Sequence, residues 1–208
     1  MKQTADEKKE AILEAAFEVV AEKGYFQTTV EDIAQKAGVA KGTVYLHFKD
    51  KPDIYIGLVD WLFEQAVGTV REFDAKPLSA REKLEQIHKV WSEYVFARPG
   101  AMGLLSTEDT QAHIASRAHQ RLKDAMMTHM RELLSGLASI VRQGITNGEF
   151  REVDPVMAAF TFALSFRASV ILAHHNLGVR EPGPAALDIL FRGLLRPDPG
   201  DEPQSRER

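Results

Sequence analysis

Between Thr28 and Lys51 the chain places hydroxyls, lysines, a phenol and an imidazole at intervals that suit a polyanion. Lysine brings charge to a phosphate, and Thr, Tyr and His donate hydrogen bonds to its oxygens. Tyr45, His47 and Lys51 are expected on phosphates, with Lys41 and Lys49 adding charge. Gly42, Thr43 and Leu46 are expected near bases: Gly42 lets the backbone approach closely, and Leu46 suits an apolar contact such as a thymine methyl. From Lys36 to Lys51 there are four lysines, opposed by Asp50 alone.

Two short helices must carry these groups. Thr28 and Glu31 have the spacing of a capping box, which predicts a helix from about Thr29. Val30, Ile33, Ala34 and Ala37 recur at helical intervals along one stripe. Gly38 then ends that helix. Val39, Val44 and Phe48 continue an apolar face in a second helix, which leaves Lys41, Gly42, Thr43, Tyr45 and His47 outward. A helix, a tight turn and a helix form the unit whose second member enters the DNA major groove.

The segment resembles the DNA-binding domain of the TetR family of repressors. The resemblance runs from Ile12 through Ala15-Ala16-Phe17 and Gly24-Tyr25 to Thr28-Thr29 and Asp32-Ile33-Ala34. It continues through Ala37-Gly38-Val39, Lys41-Gly42-Thr43, Tyr45, His47-Phe48 and Lys51. It implies an operator-binding regulator and adds Thr28 and Thr29 to the DNA-contacting set. Ala40 departs from the family, where serine is common, and so does Leu46, where a polar or aromatic residue is frequent.

Composition sets bounds. The chain has 208 residues and no cysteine, so disulfides and thiolate metal sites are excluded. No apolar run is expected to cross a bilayer, and the polar start Met1-Lys2-Gln3-Thr4 predicts no signal peptide, so a cytoplasmic protein is expected. Net charge is −4, and residues 1–53 carry eight lysines against ten acids. The basic footprint is therefore local, and non-specific DNA affinity should be modest and salt-sensitive.

The pattern is helical throughout and predicts an all-α fold. A three-helix DNA-binding domain is expected over residues 1–50, a helical ligand-binding and dimerisation domain over 51–196, and a disordered tail over 197–208. Thr4 with Glu7 caps the first helix, which buries Ile12, Leu13, Ala16, Phe17 and Val20 and stops at Gly24. Asp50 caps a helix to about Phe73, and Ser79 begins one running to Val95. A long helix is expected from about Asp109 to Thr146, with a possible break near Ser116. Asp154-Pro155 opens another, through Leu177. Pro182-Gly183-Pro184 reads as a loop before a last helix, Ala185 to Leu195.

Phe162, Ser165, Ser169 and Leu172, with Leu187, Leu190, Phe191 and Leu194, are expected at a homodimer interface, because the resemblance implies a four-helix bundle between two copies. Two copies also make physical sense, since one short helix reads too few base pairs and a symmetric pair reads a palindromic operator. Trp61, Trp91, Tyr94, Met102, Met126, Met130, Phe162 and Phe166 are candidates to line a pocket for a small lipophilic or aromatic ligand; the competing reading is ordinary core. Arg167, alone in an apolar helix, is expected to pair with a buried Glu or with an anionic ligand group. No catalytic residue, metal site or cofactor is expected, and His113, His119 and His129 lack the spacing of a helical metal pair. The rival reading is a DNA-binding architectural or partner-binding protein with no sensing pocket; an enzyme is a distant third.

Overall fold

The computed structural model describes residues 4–96, 116–174 and 178–194. Within them the chain forms helices α1 (Ala5–Gln27), α2 (Val30–Lys36), α3 (Lys41–His47), α4 (Lys51–Asp74), α5 (Ala80–Phe96), α6 (Ser116–Thr146), α7 (Pro155–His174) and α8 (Pro182–Leu194). Among the described residues there is no β-strand, as the all-α reading expects. Met102, His113 and the 197–208 tail lie outside them, as does the expected start of the long helix at Asp109.

The helix starts follow from local chemistry. Thr4 and Glu7 form a reciprocal capping box on α1. Asp50 accepts the Asp53 N–H at the start of α4. Ser79 and Glu82 exchange hydrogen bonds before α5, and Asp154 accepts the Met157 N–H in α7. α1 breaks at Gly24, whose φ of +77° is open to glycine, and one further turn carries Tyr25 and Phe26.

Contacts divide the chain into two compact units. The first comprises residues up to Gly68 together with Trp91–Leu133; the second comprises Thr69–Val90 and the chain from Leu134 onward. The division expected at residue 50 is therefore not a packing boundary. Ile54, Tyr55, Leu58 and Trp61 of α4 share one core with Ile12, Phe17, Ile33, Val44 and Phe48.

In the second unit α7 packs on α8. Pro182 and Pro184, expected in a loop, belong to the first turn of α8. That turn tolerates proline because its N–H groups have no helical acceptor. Arg151 closes the other end, donating its backbone N–H to the Leu194 carbonyl (2.9 Å) and Nε to the Gly193 carbonyl (2.6 Å). A buried polar knot ties α5 to α6: Lys83 Nζ donates to the Asp74 carbonyl (2.7 Å) and to Gln143 Oε1 (2.9 Å), and Gln143 Nε2 donates to Asp74 Oδ1 (2.6 Å).

α7 corrects one expectation. Its 19 residues Pro155–Ala173 are long and apolar enough to cross a membrane by length and composition. The hydroxyls that interrupt the sequence are satisfied within the helix: Thr161, Ser165 and Ser169 each donate to a carbonyl three or four residues back.

Candidate DNA-reading site

The turn between α2 and α3 is a Schellman motif. Gly38 has φ +67°, its N–H reaches the Gln35 carbonyl, and the Val39 N–H reaches the Ala34 carbonyl at 3.0 Å. Val44 and Phe48 are buried, which turns Lys41, Gly42, Tyr45 and Leu46 to solvent. Thr43 and His47 are half-buried at the edge of that face. Phe48 sits against α4 at Gly57, where an added Cβ would lie 2.8 Å from Phe48 Cε1. The end of α3 is thus keyed directly into α4.

Two of the expected DNA contacts are placed differently. The cap of α2 is Thr29 with Asp32, not Thr28 with Glu31. Thr28 is only 2% exposed, and its hydroxyl donates to the Gly24 carbonyl at 2.8 Å. It therefore closes α1 and presents no group to DNA, whereas Thr29 is exposed. Lys51 is half-buried. Its Nζ donates to the Phe26 carbonyl at 3.2 Å and lies 4.4 Å from the centre of the Tyr25 ring. Burial pushes its pKa down.

The remaining charges are partly matched within the domain. Lys41 Nζ lies 3.0 Å from Glu31 and Lys36 Nζ 2.6 Å from Glu18, and each carboxylate raises its lysine's pKa. Lys23 hydrogen-bonds Asp32 at 2.9 Å. With the Thr29 N–H and hydroxyl, this holds the Asp32 carboxyl down to about 2. Lys49 is exposed, with no ion pair for its ammonium among the described residues. Ala40 is the N-cap of α3 and makes no side-chain cap, so the serine missing from this position also costs the helix a cap.

The structure separates the expected ligand-lining residues. Trp61, Trp91, Tyr94, Met126 and Met130 belong to the first unit, and Phe162 and Phe166 to the second. Phe17 joins two of the first set, with ring centroids 6.3 Å from Trp61 and 5.5 Å from Tyr94. The Trp61 indole N–H is buried with no acceptor among the described residues. Phe162 and Phe166 pack edge-on against His88, a core histidine that the sequence reading did not single out. Arg167 is exposed and forms no buried ion pair among the described residues. His129 Nε2 lies 3.1 Å from Asp60 Oδ1, and its ring stacks on Phe63.

Of the expected dimer residues, Phe162, Ser169, Leu190, Phe191 and Leu194 are buried within the chain itself, while Ser165, Leu172 and Leu187 are half-buried. The large apolar residues left exposed on the described parts of these helices are Val156, Met157, Phe160 and Leu164 on α7 and Ile189 on α8.

The sequence model of the family described as "Bacterial regulatory proteins, tetR family" matches residues 12–58, which spans α1 to the start of α4. The chain is 35% identical over 141 residues to the fatty acid metabolism regulator protein of Bacillus subtilis (strain 168), covering 68% of this chain and 70% of that one. The chain belongs to the TetR family. It is a DNA-binding transcriptional regulator. A second relative, the HTH-type transcriptional repressor KstR2 of Rhodococcus jostii (strain RHA1), is 29% identical over 73% of this chain and 72% of its own length. Among solved structures, FadR from Bacillus subtilis in complex with stearoyl-CoA is similar at a TM-score of 0.68 and 27% identity, over 88% of this chain and 98% of that one. The reduced form of Escherichia coli NemR shares the fold at a TM-score of 0.74 and 14% identity, over 92% of this chain and all of its own.

Proposed function

We propose that this TetR-family chain is a cytoplasmic homodimeric repressor that leaves its operator when a lipophilic small molecule binds. The observation that carries the reading is the outward face of α3: Lys41, Gly42, Tyr45 and Leu46 are exposed on a helix whose other side is locked into α1, α2 and α4. Thr29, Thr43, His47 and Lys49 flank that face and complete the proposed DNA contacts. Such a helix presents base-reading and phosphate-holding groups together.

Release follows from how α4 is held. It carries Gly57 against the end of α3 and Trp61 one turn further on. Asp53, in its first turn, accepts from the Lys49 N–H at 3.0 Å and from Arg121 of α6 at 3.0 Å. A ligand that shifts α4 or the first half of α6 therefore moves the support of α3. The buried Trp61 N–H supports a ligand that brings an acceptor oxygen to the Phe17–Trp61–Tyr94 cluster, since an unmet buried donor is costly. The stearoyl-CoA held by the Bacillus subtilis relative makes long-chain acyl-CoA the first class to test.

The experiment is reciprocal. Stearoyl-CoA should weaken binding to a selected operator, and that operator should weaken stearoyl-CoA binding by the same factor. Trp61→Phe keeps an aromatic ring, though a smaller one, and removes the donor; it should weaken the ligand by at least the worth of one hydrogen bond, roughly 3- to 10-fold. A ligand that binds tightly and leaves operator affinity unchanged would sink the release mechanism and leave the DNA-binding function standing.

For the dimer, we propose the exposed stripe Met157, Phe160 and Leu164 of α7 with Ile189 of α8. An apolar stripe of this kind on a helix pair is what a second copy covers in an isologous bundle.

A further inference from the structure

We propose that Leu46 reads one thymine in each operator half-site through its 5-methyl group. The inference rests on the operator-binding reading above and adds what that operator must contain. Leu46 is 84% exposed, more than any other large apolar side chain among the described residues. It projects from the last turn of α3, while Val44 and Phe48 hold the opposite side in the core.

Gly42 lies four residues earlier, so it and Leu46 share one row of the helix surface. Nothing among the described residues asks for glycine there. Its backbone is not left-handed, and a Cβ at Gly42 would meet no atom within 4 Å. Glycine nevertheless weakens a helix relative to alanine. A bare backbone beside a projecting isobutyl group suits a surface that approaches from outside. The adjacent row, Lys41 and Tyr45, is polar and exposed. The helix thus shows one row for phosphates and one with no hydrogen-bonding side chain.

Chemistry then selects the partner. In the major groove the edges of guanine, adenine and cytosine differ by donors and acceptors; thymine alone adds a methyl group. Leucine can neither donate nor accept, so it discriminates by burying that methyl. Each buried methyl is worth about 4-fold in affinity, and the symmetric pair about 15-fold.

The test uses the full chain. An operator is first selected from a random duplex library. Each thymine is then replaced by deoxyuridine, which removes the methyl and keeps every donor and acceptor. At one symmetric position, uracil should weaken binding by about 4-fold in one half-site and about 15-fold in both. Leu46→Ala should bind the thymine operator more weakly and lose that distinction. Leu46 is exposed, so the variant should melt like the parent. Leu46→Gln, able to bond adenine in two places, should shift the selected base at the same position. If no thymine couples to residue 46, or if the uracil effect persists unchanged in Leu46→Ala, the inference is overturned. A library that enriches no sequence overturns the operator-binding reading, and this inference with it.

Discussion

Four lysines crowd the sequence from 36 to 51, and the fold treats them differently. Lys36 and Lys41 are paired with Glu18 and Glu31, Lys51 is folded onto the Phe26 carbonyl and the Tyr25 ring, and Lys49 has no ion pair among the described residues. Charge alone therefore overstates the field this face presents. Lys49→Ala should weaken binding to all duplexes alike and reduce the slope of log affinity against log salt by about 1. Lys51→Ala should act first on stability, because it removes a hydrogen bond to a carbonyl at the end of α1 and a cation over a ring. A mobility-shift titration at several salt concentrations, beside thermal melts, separates the two. A full unit of slope lost from Lys51→Ala, with its melting point unchanged, would reverse the assignment.

The elements were largely legible because their boundaries are chemical. Thr4 with Glu7, Asp50, Ser79 and Gly38 each announce a cap, and each acts as one. The slip at α2 has a plain cause: Thr28/Glu31 and Thr29/Asp32 are overlapping capping boxes, and only the burial of Thr28 decides between them. The inward and outward sides of α8 were not legible. Leu187, Ile189, Leu190, Phe191 and Leu194 spread apolar side chains round more than half the helix, so spacing alone does not say which ones meet the chain's own core. The keying of Phe48 into Gly57 was also hidden, since no sequence pattern marks a glycine that serves a distant ring. It has a measurable result. Gly57→Ala forces Phe48 aside, so it should lower stability by about 1–3 kcal/mol and should weaken operator binding by displacing the end of α3. Denaturant melts and operator titrations check both effects; normal stability with normal binding would mean the contact relaxes freely.

At the scale of the whole molecule the question is what α7 and α8 do with their exposed apolar side chains. Ile189 is 74% exposed, whereas Phe191 is 3% exposed and stacks with Phe150. The two positions therefore separate association from folding. Ile189→Asp should give a folded monomer with weakened operator binding, because one recognition helix reads only a half-site. Phe191→Asp buries an unpaired carboxylate and should unfold the region around it. Sedimentation with circular dichroism distinguishes them. A dimer of Ile189→Asp that persists at micromolar concentration would place the interface elsewhere.

The boundaries of the two units along the chain fall inside α4, α5 and α6, between Gly68 and Thr69, Val90 and Trp91, and Leu133 and Leu134, and that bears on how such proteins can be recombined. A crossover at those points finds no loop to absorb a mismatch. One residue inserted there rotates the rest of its helix by about 100° and advances it by about 1.5 Å. A fragment cut at residue 50 fares no better, because it strands Val44 and Phe48 without Ile54 and Leu58. Chimeras that give this DNA reader a new sensor, whether made by gene exchange or at the bench, must join three helices in phase at once. Whole-gene duplication followed by point changes is then the easier route to a new specificity.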